Sequence, residues 1–143
     1  SEVDGEYPAG HISDGMIKEK LKDFLGEQEQ EPPLFSAKFV DGKRAYELAR
    51  KKIDRKLDKV KVVFSDLELL DYSGTDAKIR IVCSKGTYVR AFARDLGVAL
   101  GSGAHLRSLM RNAIGDFRLE KAITVEELIF FLENMKQSRN SFV

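Results

Sequence analysis

The sequence predicts an α+β fold in which a mostly antiparallel sheet carries flanking helices. Two segments of alternating apolar residues, 60–69 and 77–83, are separated by the turn-forming residues 73–76, which favours an antiparallel pair. Helical patterns precede and follow this pair without a regular strand–helix–strand rhythm. With 143 residues, 43% of them hydrophobic, the chain is expected to form one packed unit around a single core.

The segments before the strand pair begin with an amphipathic helix. Ser13 is a typical N-cap, Ile17, Leu21 and Phe24 follow at helical spacing, and Gly26 is a typical stop. The segments that follow are predicted to be a charged loop at Glu27–Glu31, a strand over Leu34–Val40 after the Pro32-Pro33 pair, a turn at Asp41-Gly42 and a short helix over Ala45–Arg50.

The strand pair itself is predicted to have a bulge near Ser65-Asp66 and a second strand over Ala77–Cys83. A turn over Ser84–Thr87 then opens a helix over Tyr88–Leu100. The stretch that contains Leu106, Leu109, Ile114 and Phe117 is expected to be irregular or strand-like. A capping box at Thr124–Glu127 begins a last helix, which is expected to end near Met135 and leave a frayed tail.

Charge is distributed unevenly, although the formal net charge is only +1. Residues 1–31 hold nine acids against three lysines, whereas residues 43–61 hold nine Lys and Arg against three acids. A cationic segment of this density suits a polyphosphate backbone, and a solvated helix face with an adjoining loop is the alternative explanation. The basic residues are Lys43, Arg44, Arg50, Lys51, Lys52, Arg55, Lys56, Lys59 and Lys61.

Several classes of protein are disfavoured by composition. No apolar run approaches the roughly 18 residues of a membrane span, and the first residues are acidic rather than basic and apolar as in a signal peptide. Cys83 is the single cysteine and is expected to be a buried strand thiol, and the distant His11 and His105 lack zinc-site spacing. We therefore expect a soluble, cytoplasmic protein without a metal.

Two motifs together extend over about 80 residues. The first is Gln30-Glu31-Pro32-Pro33-Leu34-Phe35-Ser36-Ala37 with the following Gly42-Lys43-Arg44-Ala45-Tyr46-Glu47-Leu48-Ala49-Arg50. The second is Cys83-Ser84-Lys85-Gly86-Thr87-Tyr88-Val89-Arg90, continuing into Asp95-Leu96-Gly97 and Leu100-Gly101-Ser102-Gly103-Ala104-His105-Leu106. Both motifs resemble the bacterial tRNA pseudouridine synthase B (TruB) family, and this resemblance implies a portion of a pseudouridine synthase catalytic domain.

That family isomerises the uridine of the tRNA T-arm loop to pseudouridine, a reaction without net redox change that needs no cofactor. The target base must leave its stack, and the resemblance makes Tyr88 the aromatic group that receives it and Leu109 a wall of the uracil pocket. It makes Arg90 the arginine that pairs with the catalytic aspartate. Alternatively, Tyr88 and Leu109 are packing residues and Arg90 is an exposed helix arginine. Lys43, Arg44, Lys51 and Lys56 would contact the RNA backbone.

The family's nucleophile lies in a Gly-x-Gly-Thr-Leu-Asp motif, and no such string occurs in these 143 residues. We therefore expect the chain to be the C-terminal portion of a longer catalytic domain, inactive by itself. Its sheet should present an unpaired edge that meets either the missing N-terminal half or a second copy of the chain.

Two other functions remain open on the sequence. The first is a non-catalytic RNA-binding module that uses the basic segment 43–61. The second is the synthase subunit of an H/ACA guide-RNA particle, which shares the Gly-Thr-Tyr-x-Arg block, although the run Tyr46-Glu47-Leu48-Ala49-Arg50 favours the bacterial stand-alone branch.

Overall fold

The computed structural model of the protein describes residues 5–33, 39–40, 43–44 and 58–140. The helices are α1 (Asp14–Asp23), α2 (Val89–Ala99) and α3 (Val125–Asn140), with a 3-10 turn at Leu119–Lys121. The strands are β1 (Gly26–Gln30), β2 (Phe39–Val40), β3 (Lys43–Arg44), β4 (Val60–Tyr72), β5 (Ala77–Cys83), β6 (Ala113–Ile114) and β7 (Phe117–Arg118). All the strand pairs among these residues are antiparallel, which confirms the predicted α+β fold.

The largest sheet has the strand order β1-β4-β5. The prediction of a charged loop at Glu27–Glu31 was wrong, because most of this segment belongs to strand β1. The strand pairs with β4, with Gly26 opposite Phe64 and Gln30 opposite Val60. The polar composition misled the prediction because one face of this edge strand is open to water, so its side chains need not be apolar. Antiparallel backbone pairing with β4 places it in the sheet.

The β4–β5 pair confirms the strand over Ala77–Cys83 and the bulge predicted near Ser65-Asp66. The register shifts between Phe64 and Asp66, and a second shift lies between Leu69 and Asp71. The turn that joins the strands closes with Ser73 N–H donating to the Asp76 carbonyl at 3.0 Å. Each irregularity inserts an extra residue into β4, which is a common way to bend a long strand around a core.

The core lies between one face of this sheet and the helices α1 and α2. Phe92 of α2 packs at its centre, with its ring centroid 5.4 Å from that of Phe24 and 5.2 Å from that of Phe64. Each buried apolar side chain of this size stabilises the fold by about 1.5–3 kcal/mol. The buried cluster consists of Ile17, Leu21, Val62, Phe64, Phe92, Leu96 and Leu100.

The helix boundaries follow the predicted capping residues. Ser13 Oγ accepts a hydrogen bond from the Met16 N–H at 3.3 Å. The capping box before α3 is also confirmed, because Thr124 N–H donates to the Glu127 carboxylate at 2.7 Å and Glu127 N–H donates to Thr124 Oγ1 at 3.2 Å. That helix continues to Asn140, beyond the end expected near Met135, so residues 136–140 are helical rather than frayed.

The chain divides into two compact units, Ser1–Arg107 and Ser108–Val143, where the composition suggested one. The buried apolar cluster belongs entirely to the first unit. The second contains the β6–β7 hairpin and α3, and its apolar side chains, such as Phe130, are largely exposed. Its own residues therefore bury little apolar surface, which explains why the single core does not extend through the whole chain.

Three earlier predictions fall partly or wholly outside the described residues. The strand expected over Leu34–Val40 is seen only as β2, whose partner is β3, and the turn at Asp41-Gly42 and the helix over Ala45–Arg50 are not described. In the part of the chain that is described, no helix combines the length and the apolar character needed to cross a lipid bilayer.

Candidate functional site

The turn between β5 and α2 is fixed by side-chain hydroxyls. Ser84 N–H donates to the Val63 carbonyl at 2.9 Å, and Ser84 Oγ accepts the Val63 N–H at the same distance, so the serine hydroxyl replaces a backbone carbonyl of the ladder. The Ser84 carbonyl is then able to accept Thr87 Oγ1 at 2.8 Å. Gly86 completes the turn with a φ of 82°, a conformation that glycine adopts without strain.

Tyr88 is the N-cap residue of α2 and confirms the predicted start of this helix. Its backbone is extended, with φ −95° and ψ 101°, and its side chain makes no capping hydrogen bond. The Tyr88 carbonyl accepts the Phe92 N–H at 3.0 Å, which is the first bond of the helix. The tyrosine is half-buried, so it lies at the margin of the core rather than inside it.

Arg90 lies in the first turn of α2 and is exposed. Arg94, four residues later, shares its face of the helix and is also exposed. Arg94 Nε binds the carboxylate of the neighbouring Asp95 at 2.7 Å. The structure thus brings Tyr88 and Arg90 to the same end of α2, with neither in the hydrophobic interior, and their predicted roles stay predictions.

The segment that resembles the Pro-Pro motif lies against this end of α2. Gln30, the last residue of β1, is only 3% exposed, and its carboxamide bonds both backbone groups of Tyr88. Arg94 Nη2 donates to the Glu31 carbonyl at 3.1 Å, and Pro32 is buried. The two motifs that carry the family resemblance are therefore in direct contact, although Gln30 and Tyr88 are 58 positions apart in the sequence.

Gln30 belongs to the first motif of the sequence, but no role was predicted for it. A carboxamide beside a Pro-Pro pair carries little information by itself, because glutamine is usually exposed. The burial of Gln30 becomes evident only when β1 is recognised as a strand, and the charged residues around it concealed that strand.

Leu109 belongs to the second unit, where its side chain is 60% exposed. An exposed leucine is compatible with a surface that contacts a ligand and does not fit a buried packing residue. Its assignment to the wall of the uracil pocket stays a prediction.

The predicted RNA-backbone residues are described only in part. Lys43 and Arg44 form strand β3, of which the backbone is described, and Lys51 and Lys56 lie outside the described residues. At the end of the same segment, Lys59 Nζ lies 3.7 Å from a carboxylate oxygen of Glu29, and both side chains are more than half exposed. An exposed pair of this length contributes little stability, so Lys59 is not tied to a structural role.

The strand β5 pairs with β4 and has no second neighbour among the described residues, so it forms an edge of the sheet. Val63 and Val82, on these two strands, are 38% and 44% exposed. Cys83, expected to be buried, is instead exposed, because it is the last residue of this edge strand. The described residues contain no group of His, Cys, Asp or Glu arranged to hold a metal ion.

Comparison with family models gives two adjoining matches that together account for almost the whole chain. Residues 2–89 match the TruB family pseudouridylate synthase (N terminal domain), and residues 90–141 match the tRNA pseudouridylate synthase B C-terminal domain. The boundary between the two matches falls between Tyr88 and Arg90, within the first compact unit.

Curated relatives agree with these matches. The chain is 49% identical over 135 residues to tRNA pseudouridine synthase B of Phocaeicola vulgatus, covering 94% of this chain and 57% of that protein. It is 52% identical over 132 residues to the protein of the same name from Parabacteroides distasonis, covering 92% of this chain and 56% of the relative. The chain therefore spans a little over half the length of these relatives.

A solved structure also resembles the fold. One chain in the crystal structure of a Cbf5-Nop10-Gar1 complex superimposes with a TM-score of 0.70 and 29% sequence identity, over 93% of this chain and 37% of that one. The likeness thus extends to nearly all of the present chain and to a minor part of the larger one.

Proposed function

Since the chain belongs to the TruB family of pseudouridylate synthases, we propose that it is part of a cytoplasmic tRNA pseudouridine synthase that converts the T-arm loop uridine to pseudouridine. The observation that supports this proposal is the hydrogen-bonded turn Ser84–Thr87. This turn places Tyr88 and Arg90 at one end of α2, outside the core. This end of the helix is where an extruded base would be received.

The reaction breaks the bond between N1 of uracil and the ribose C1′, turns the base, and forms a bond from C5 to C1′. The C5 hydrogen leaves as a proton and N1 gains one, so atoms and electrons balance without a cofactor. Base extrusion costs a few kcal/mol of stacking, which contact with an aromatic ring such as Tyr88 offsets. Arg90 would hold the nucleophilic aspartate ionised and oriented through its planar guanidinium.

The nucleophilic aspartate is not among these 143 residues, as no Gly-Thr-Leu-Asp string occurs in them. We propose that a preceding segment of the full-length protein supplies it, and that this segment pairs with β5, which forms an edge of the β1-β4-β5 sheet. By itself the present chain should then bind RNA weakly and leave uridine unchanged.

A tritium-release assay tests the proposal, because uridine labelled at C5 loses its label when C5 bonds to C1′. The full-length protein, given free tRNA and no guide RNA, should release one equivalent of tritium per T-arm uridine. Release that requires a guide RNA would instead favour the subunit of an H/ACA particle, and no release under either condition would contradict synthase activity.

The second candidate is a non-catalytic RNA-binding module, favoured by the nine basic residues of segment 43–61. The gene sequence upstream of Ser1 separates this candidate from the first. An upstream Gly-Thr-Leu-Asp motif would exclude the module, and its absence would exclude the synthase.

A further inference from the structure

The carboxamide of Gln30 holds Tyr88 at both of its backbone polar groups. Gln30 Oε1 accepts the Tyr88 N–H at 3.0 Å, and Gln30 Nε2 donates to the Tyr88 carbonyl at 3.3 Å. Gln30 is 3% exposed, and it is the one buried polar side chain among the described residues. A carboxamide is neutral and carries a donor nitrogen and an acceptor oxygen on the same carbon, as this pairing requires.

This pair of hydrogen bonds fixes the backbone from which the Tyr88 side chain projects. Tyr88 is the N-cap residue of α2, so its N–H has no partner within the helix, and its side chain supplies no cap. Gln30 satisfies that N–H and also shares the carbonyl that accepts the Phe92 N–H at 3.0 Å. With both of its peptide groups held, Tyr88 has a fixed Cα–Cβ direction.

The strand end that bears Gln30 is itself anchored. Its backbone pairs with Val60 in the sheet, the following carbonyl of Glu31 accepts Arg94 Nη2 at 3.1 Å, and Pro32 is buried. The backbone of Gln30 is therefore held in place by the sheet pairing and by the contacts of the two residues that follow it. Such support is what a side chain needs if it is to position a neighbouring group accurately.

We propose that Gln30 is a positioning residue, which sets the orientation of the Tyr88 ring towards the target uracil without touching the RNA. The inference rests on the proposed function of Tyr88 as the group that receives the base. It implies that Gln30 affects turnover more than binding, since a displaced ring misaligns the base after the tRNA backbone has been bound.

The test uses Gln30→Met, which keeps the length of the side chain and removes both hydrogen bonds, and Gln30→Glu, which keeps an acceptor for the Tyr88 N–H alone. Ile17→Val is the matched control, because Ile17 is 1% exposed in the core and lies on α1. Three quantities are measured for each protein: kcat and KM for tRNA with the full-length enzyme, and the hydrogen-exchange rate of the Tyr88 amide in this chain.

Gln30→Met should lower kcat by about tenfold, the usual effect of losing a hydrogen bond of this kind, with KM within about twofold. The Tyr88 amide should exchange at least about tenfold faster, and the Phe92 amide should not change. Gln30→Glu should recover part of kcat. Ile17→Val should lower the melting temperature and leave kcat and Tyr88 exchange as they are.

A kcat for Gln30→Met equal to that of Ile17→Val would overturn the positioning role. If the full-length wild-type protein releases no tritium, the proposed function fails, and hydrogen exchange alone then decides whether Gln30 holds Tyr88. Faster exchange of the Tyr88 amide in Gln30→Met would support the hydrogen-bonded contact between Gln30 and Tyr88, and unchanged exchange would overturn it.

Discussion

Gly97 of α2 packs against the backbone at Ala104 so closely that a Cβ atom at position 97 would overlap the Ala104 nitrogen. A glycine in the middle of a helix costs about 0.5–1 kcal/mol relative to alanine, so its presence here requires such a contact. The contact allows the chain to turn back at Gly101, with Ser102 N–H donating to the Gly97 carbonyl at 2.9 Å. The glycine of the Asp-Leu-Gly motif is thereby explained by packing.

Gly97→Ala should therefore destabilise the protein by about 1–3 kcal/mol, because the clash is with backbone atoms that cannot rotate away. Gly10→Ala is the matched control, since no atom lies within 4 Å of the Cβ position at Gly10, and it should change stability by less than about 0.5 kcal/mol. Chemical denaturation measures both. Equal stabilities of the two variants would show that α2 can move away from the 101–104 turn.

Tyr88→Leu should lower kcat/KM of the full-length enzyme by roughly 5- to 150-fold, which corresponds to the loss of about 1–3 kcal/mol of stacking on one base. Tyr88→Phe keeps the ring face and should retain most of the activity. Steady-state kinetics with tRNA provides the measurement. Leucine and phenylalanine variants of equal activity would mean that position 88 serves packing rather than the base.

Arg90→Ala should reduce kcat by at least about 30-fold with KM within about threefold, because truncating one partner of a desolvated charge pair costs roughly 2 kcal/mol or more. Arg90→Lys keeps the charge without the planar guanidinium, and its kcat should lie between those of the wild-type enzyme and Arg90→Ala. Arg80→Ala is the control, since Arg80 is half-exposed and bonded to Asp66 and Glu68 on the sheet. Losses divided equally between kcat and KM would contradict the assignment of Arg90.

Lys51→Ala and Lys56→Ala should each weaken tRNA binding and reduce the slope of log affinity against log salt by about 1 or less, the contribution of one phosphate contact. Lys18→Ala, in the acidic N-terminal region, should leave that slope unchanged. Filter binding over a range of salt concentrations measures the effect. A slope that stays constant in both test variants would remove the basic segment from the RNA interface.

The capping box of α3 predicts an acid-sensitive helix end. Hydrogen bonds from the Thr124 N–H and then its hydroxyl lower the pKa of the Glu127 carboxyl below its usual value near 4.5. A lowered carboxyl pKa gives stability that is present above the usual value and lost as pH falls through the lowered one. A carboxyl NMR titration should place Glu127 below 4.5, and Thr124→Ala should move it back partway. A Glu127 pKa at or above 4.5 would contradict the box.

The sequence was sufficient to predict the elements that carry strong local signals. Ser13 and Thr124 begin helices because their side chains satisfy helix N–H groups, and β5 was predicted at its observed bounds because its apolar residues alternate. These features depend on residues that are close in the chain, and sequence patterns report them directly.

The strand β1 could not be predicted, because an edge strand of mostly charged and amide residues has no periodic apolar signal. The role of Gln30 was concealed with it, since contact with Tyr88 joins residues that are 58 positions apart. Tyr88 and Arg90 were identified by resemblance to a family, and local helix geometry then explains why both lie at the start of α2. Long-range polar contacts of this kind follow from topology and leave no trace in local composition.

The most direct test of the central claim is a structure of the full-length protein bound to a T-arm stem–loop. We expect the target uracil in this complex to be extruded, with the Tyr88 ring within about 4 Å of it and Arg90 within about 3 Å of a carboxylate beside the base. A complex in which the uracil is bound elsewhere, or in which Tyr88 and Arg90 face away from it, would contradict the account.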